Sequence, residues 1–245
     1  YGESLAAVRS QLSLPCEDDV TVYRFLRGHK LDVKVAAQHL EATLKWRQEN
    51  KLDEIREKAA KLTQKQYPHA DKVLAVHPHC INHGFDKSGQ PLSIERLGYA
   101  NPSMMVRTVP FDEMVEYHFY HMEGKIDLVK KLTAETGKVI RTAKIMDLAG
   151  LGRHHLDRRG LAYFKKIIDT SQSNYPEMLG KLYVVNTPWL FSVGWKIVKP
   201  WLNEKTLSKI HILQGSDFLP QLEADIDRQY IPQFLGGDCT CGGTG

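Results

Sequence analysis

Val139-Ile140-Arg141-Thr142-Ala143-Lys144-Ile145-Met146-Asp147 and Leu182-Tyr183-Val184-Val185-Asn186, with a helical pattern between them, are the stretches that decide the fold. Both are short, apolar and rich in β-branched residues, which favours strands. A crossover of this length does not close a hairpin; it returns the chain to a parallel neighbour and lays a helix on the sheet. Working outward, Leu92–Glu95, Ile210–Leu213 and Val73–Val76 read as further strands. Helices are predicted over Phe111–Thr136, Leu156–Ser173 and Trp189–Leu202, and Asp86-Lys87-Ser88-Gly89 makes a turn before the strand at Leu92. Residues 1–65 are helical throughout: Val20–Arg27 opens one helix, and Asp32 caps the next, whose Ala36, Leu40, Thr43, Leu44 and Arg47 share a face. The fold class is therefore α/β, with a mostly parallel sheet behind a small helical module.

The 245 residues carry 42% apolar and 25% charged side chains, and Lys plus Arg exceed Asp plus Glu by 33 − 29 = 4, the balance of an ordinary globule. Acids interrupt nearly every basic stretch, so no nucleic-acid partner is expected. No window reaches the roughly 18–20 apolar residues of a membrane span, and Tyr1-Gly2-Glu3-Ser4 resembles no signal peptide. Together with four scattered cysteines, Cys16, Cys80, Cys239 and Cys241, this points to reduced thiols and a cytoplasmic location. Only one close cysteine pair is present, so no zinc site and no metal is expected.

Trp189–Leu202 is unusual. Large apolar residues surround most of its circumference, where a half-buried helix would confine them to one stripe. Such a helix either lies deep in the core or covers an apolar cavity, with its tryptophans and lysines suited to a membrane interface.

Catalytic signatures are missing: there is no phosphate-cradling glycine loop after a strand and no Gly-x-Ser-x-Gly elbow. Asp147, Glu95 and Glu177 have no matching nucleophile, so a binding protein is expected rather than an enzyme. Two histidine clusters, His77-Pro78-His79-Cys80 with His83, and His118 with His121, keep open a haem- or metal-binding alternative.

Several segments resemble the CRAL-TRIO lipid-binding family, which includes the Sec-fourteen-like phosphatidylinositol transfer proteins. Tyr23–Val33 with Trp46-Arg47 is similar to its N-terminal helical module. Asp86–Pro91, Ile145–Gly150, Asn174–Pro188, Lys199–Leu202, Lys205–Ile210 and Ile231–Gly237 are similar to its lipid-binding module, in the same order. The resemblance implies a three-layer CRAL-TRIO lipid-binding fold, its sheet flooring an apolar pocket closed by a mobile gate helix. Residues 1–65 would form the helical module, 66–238 the lipid-binding domain and 239–245 a short tail.

It further implies a carrier that sequesters one phospholipid, phosphatidylinositol, and exchanges it at membranes as a monomer with peripheral membrane association, upstream of a lipid kinase. The bound lipid is the ligand and no cofactor is needed. Glu177, Thr206, Lys209 and His29 fall on the headgroup site, although His29 replaces an arginine of the family and Met178 replaces another. Thr142 and Lys144 fall on a second headgroup region, and Asn82, Ser93 and Met122 on the family's choline-lining tyrosines. A lysine there is repulsive to choline, so phosphatidylcholine is expected to bind poorly. Leu190, Phe191, Val193, Trp195, Ile197 and Val198 fall on the gate and cavity. An isoprenoid, sterol or tocopherol-like ligand is the alternative cargo.

Overall fold

The computed structural model describes residues 2–213, 215 and 217–241; the glycine-rich end at 242–245 lies outside them. Four helices open the chain: α1 (Gly2–Arg9), α2 (Asp19–Gly28), α3 (Val33–Glu49) and α4 (Leu52–Ala59). Asp32 caps α3 as its position predicts, accepting the Val35 N–H at 3.0 Å, and Asp18 does the same for α2 through Val20. Val22, Phe25 and Leu26 of α2 pack on Ala36, Ala37 and Leu40 of α3 and on Val8 of α1.

The predicted strand at Val73–Val76 is a helix, α5 (Ala70–Val76). Ala70, Val73 and Val76 recur every three residues and are all buried in a cluster with Tyr117 and Tyr120, so a helical period overrides their β-branched composition. Next come β1 (His79–Cys80), β2 (Leu92–Glu95), α6 (Pro102–Thr108), α7 (Phe111–Thr136), β3 (Thr142–Asp147), α8 (Arg158–Asn174) and β4 (Leu179–Val185). They are followed by α9 (Phe191–Val198), α10 (Glu204–Leu207), β5 (Ile210–Ile212) and α11 (Leu219–Asp225). The helix expected over Trp189–Leu202 is shorter. It passes at Lys199–Trp201 into a 3₁₀ turn containing Pro200, whose ring and missing N–H do not suit a helix interior.

One sheet has the order β1-β2-β3-β4-β5, with β1 antiparallel to β2 and every other pair parallel. Because successive parallel strands advance in one direction and such crossovers are right-handed, their connecting helices lie on the same face. Strand alternation then divides the side chains. Ala143 and Ile145 of β3, with Tyr183 and Val185 of β4, face a closed core completed by Leu222, Ile226, Ile231 and Leu235. Thr142, Lys144 and Met146, with Leu182 and Val184, face the opposite side, under α7, α8 and α9.

The N-terminal helices dock on this domain through buried charge. The Glu123 carboxylate, fully buried on α7, takes both guanidinium nitrogens of Arg47 on α3, at 2.8 and 2.9 Å, and the Tyr175 hydroxyl at 3.0 Å. Trp46 packs edge-on against Phe119 and Tyr175. Arg24 of α2 donates to the carbonyls of Glu177 and Ile140, each at 2.5 Å. Gly28 ends α2 so close to Pro176 that a Cβ there would lie 3.0 Å from the proline ring. Removing one partner of a buried pair strands the other charge, so Glu123→Ala should lower unfolding stability by about 3–5 kcal/mol. The exposed-edge change Asp19→Ala should lose at most about 1 kcal/mol, and urea unfolding of the two variants checks the contrast.

Candidate functional site

A cavity of about 930 Å³ occupies the space between the sheet and the crossover helices. It replaces what would otherwise be core. On α8 only Gly160 is buried, while Leu161, Phe164, Ile167 and Ile168 point their apolar face into the cavity. No residue of α9 is buried. Phe191, Trp195 and Val198 of α9, with the preceding Leu190, line the cavity. Trp189, Val193 and Ile197 stand on the outer side, with Trp189 75% exposed. The sequence left a core helix and a cavity cover as alternatives; the geometry is that of a cover with both faces apolar. Val193 and Ile197, expected in the gate, belong to this helix and lie on its outer face.

Two polar groups interrupt the apolar lining. The first surrounds Glu177, which sits in the left-handed region at φ 57, a strained conformation for a residue with a Cβ. Its backbone carbonyl is fixed by Arg24, and its carboxylate bonds Arg141 at 2.6 Å and Lys209 at 3.4 Å. Burial pushes this carboxyl up, but the charges of Lys209, Arg141 and Lys205 outweigh that and hold it below the usual carboxylate range. The Lys209 ammonium is lowered by burial, opposed by Glu177. Thr206, Lys205 and His29 line the same part of the cavity. His29 stacks on His39 with ring centroids 4.1 Å apart, and burial, then His39 and Lys205, keep it neutral at pH 7.

The second group comes from α5, the sheet and α7. Glu95 of β2 accepts from Lys144 of β3 and pairs with His77 Nε2 at 2.8 Å. Around this pair stand His79, His118, His121 and Lys125. Burial first, then neighbouring cations and imidazoles, lowers His79 and His118 to about 3 and His121 well below its ordinary value, so these rings are neutral. Lys125 is 8% exposed and takes no hydrogen bond or ion pair among the described residues. Burial, with Lys144 next, brings its ammonium down to about 7.

The profile of the CRAL/TRIO domain matches residues 77–237. The chain belongs to the CRAL/TRIO family. Among its relatives, "Protein real-time" of Aedes aegypti is 35% identical over 91% of this chain and 34% of its own length. The phosphatidylinositol/phosphatidylcholine transfer protein SFH7 of Arabidopsis thaliana is 31% identical over 97% of this chain and 43% of its own, and SFH12 is 29% identical over 94% and 41%. The chain thus spans about a third to two fifths of the length of these relatives. The solved structure of Sfh5 superposes with a TM-score of 0.63 at 20% identity, covering 90% of this chain and 68% of that one, and so shares the fold.

In the structure of this CRAL/TRIO chain Glu177, Thr206, Lys209 and His29 all line the cavity. Arg141, which supplies the guanidinium beside Glu177, was missed; its place at the start of β3, next to the cavity-facing Thr142, was the available signal. Met178 packs with Val129, Ile140 and Tyr175 and is a core residue as much as a lining one. The Thr142 hydroxyl is engaged by the Met178 carbonyl at 3.2 Å. Lys144 pairs directly with Glu95, whereas Lys125 has no direct ion-pair partner among the described residues and feels Glu95 only at longer range. Ser93 and Met122 line the cavity, whereas Asn82 is exposed outside it. Among the described residues the two histidine clusters do not bring three metal-ligating atoms together. His79 is engaged by the His77 carbonyl at 2.8 Å and the Tyr117 hydroxyl at 2.9 Å, and His83 turns away from the cavity.

An unfolded chain keeps its lysines protonated to a pH of about 10.4, whereas folded Lys125 loses its proton near 7. Between those values the unfolded state binds more protons, so this group makes stability rise with pH. Urea unfolding at about pH 7.5 and about pH 9.5 should show wild type gaining on Lys125→Met by up to about 1.4 kcal/mol per pH unit. Parallel behaviour of the two proteins would place Lys125 in water.

Proposed function

We propose that this chain holds one phospholipid, phosphatidylinositol, in the cavity and exchanges it at cytoplasmic membrane surfaces, with residues 1–65 acting as a docked helical module of the 66–238 domain. The observation that carries this reading is the Glu177–Lys209 pair on the cavity wall, backed by Arg141, at one of the two polar interruptions of a mostly apolar lining. Acyl chains supply affinity by burial, on the order of 0.8 kcal/mol per methylene. The polar group selects the head: a carboxylate accepts from inositol hydroxyls, while the Lys209 ammonium and the Thr206 hydroxyl meet the phosphodiester and Arg141 holds the carboxylate in place. Relatives named phosphatidylinositol/phosphatidylcholine transfer proteins support a phospholipid cargo.

Exchange requires α9 to move, because it separates the cavity from solvent. Its outer Trp189, Val193 and Ile197, beside exposed Lys196 and Lys199, suit an anionic interface. While it keeps its proton Lys125 repels a quaternary ammonium, so discrimination against choline should weaken as pH rises above about 7.

A charge-assisted hydrogen bond contributes about 1.5–3 kcal/mol, so Lys209→Ala and Glu177→Ala should each slow vesicle-to-vesicle transfer of labelled phosphatidylinositol about tenfold or more. Unchanged transfer in folded variants would overturn the headgroup assignment. Sedimentation with anionic vesicles should show weaker binding for the double variant Trp189→Ser/Ile197→Ser, with its cavity lining intact. Organic extraction and mass spectrometry of the purified protein should return phosphatidylinositol. Recovery of a sterol or isoprenoid instead would replace the cargo, and a Soret band would replace it with haem.

A further inference from the structure

Outside the cavity, three donor atoms from distant parts of the chain converge. His83, Cys239 and Cys241 place one nitrogen and two sulfurs within 4.8 Å of one another. The sulfurs are 3.0 Å apart, and Cys241 Sγ lies 3.5 Å from His83 Nδ1 across 158 residues of sequence. No other group of three such donors forms among the described residues. We propose that these three side chains bind a zinc ion, with a fourth position open to water.

The donor set fits a tetrahedral thiophilic cation. Bonds of about 2.3 Å to sulfur and about 2.0 Å to nitrogen imply donor separations of roughly 3.8 Å between sulfurs and roughly 3.5 Å from sulfur to nitrogen. The sulfur–sulfur spacing and the Cys241–His83 spacing differ from these by less than 1 Å, and the remaining pair lies within 4.8 Å, a gap that side-chain adjustment can close. The backbone behind the donors is already held. Cys239 N–H donates to the Ile231 carbonyl at 3.0 Å, and its own carbonyl accepts from Gln233 at 3.0 Å. On the other side, His83 N–H donates to the Leu92 carbonyl at 2.8 Å. The neighbouring Gly84, at φ +110, lets this loop lie flat on Tyr230, where a Cβ would be 2.3 Å from the ring. Burial lowers His83 and keeps it in the neutral form that ligates, while two thiols surrender their protons on binding.

The ion would staple the segment carrying Ile231 and Leu235, which closes the far face of the sheet, to the loop between β1 and β2. The site is independent of the lipid reading. A C-x-C pair alone does not specify such a site, and its third ligand is invisible until the chain folds.

The test is competition for Zn²⁺ between the reduced, metal-free protein and a chromophoric chelator. Wild type should take up one ion per chain, release two protons and unfold at a higher temperature. Cys241→Ser, an exposed change that spares the fold, and His83→Gln should each weaken binding by about tenfold or more, with Cys16→Ser unaffected. Co²⁺ should give thiolate charge-transfer absorption in wild type and none in Cys239→Ser/Cys241→Ser. Equal Zn²⁺ affinity in that double variant would overturn the site. So would a Cys239–Cys241 disulfide in the untreated protein whose reduction yields no metal uptake.

Discussion

The buried carboxylate of Glu123 is the constraint on which the remaining arrangement rests. It is fully shielded from solvent and is compensated from two directions, by the Arg47 guanidinium and the Tyr175 hydroxyl. A charge in that environment tolerates little displacement of its partners, because each lost contact exposes it to an uncompensated desolvation cost. The N-terminal helices, the long α7 and the turn at Tyr175 are thereby locked together. Pro176 is then pressed against Gly28 and the Glu177 carbonyl is tied to Arg24, so the strained Glu177 presents its carboxylate inward.

The sheet provides the second element of the design. One face is sealed by α11 and the segment up to Leu235, forming an ordinary dry core. The other face should have a matching core under α8 and α9, and has a cavity of about 930 Å³ instead. Apolar side chains around an empty volume lose dispersion contacts and gain none from water. On the proposed lipid reading, acyl chains would complete this layer and link cargo occupancy to fold stability. α9 is the weakest part of that layer, since none of its residues is buried.

Two polar groups then give the cavity direction. At Glu177 the charges compensate one another and remain partly reachable. Near Glu95 the neutral imidazoles and Lys125, whose proton leaves near pH 7, create a buried polar region of little net charge. Neither group contributes to the pKa shifts of the other, so one cavity offers two chemically distinct environments.

Much of this was legible in the chain itself. The α/β class follows from short apolar runs separated by long crossovers, α7 has the predicted bounds, and the unusual circumference of Trp189–Leu202 identifies the segment that covers the cavity. Val73–Val76 was misread because composition was weighed above its spacing of three. By itself, the sequence determined which residues make strands, helices and caps, since those depend on local periodicity and hydrogen bonding. Only the tertiary structure decided that Arg141 meets Glu177, that Lys125 is buried without a direct ion-pair partner, that Val193 and Ile197 face outward, and that His83 reaches Cys241. Each depends on the separation of groups far apart in the chain, and Coulombic and coordination contacts are set by that separation in space.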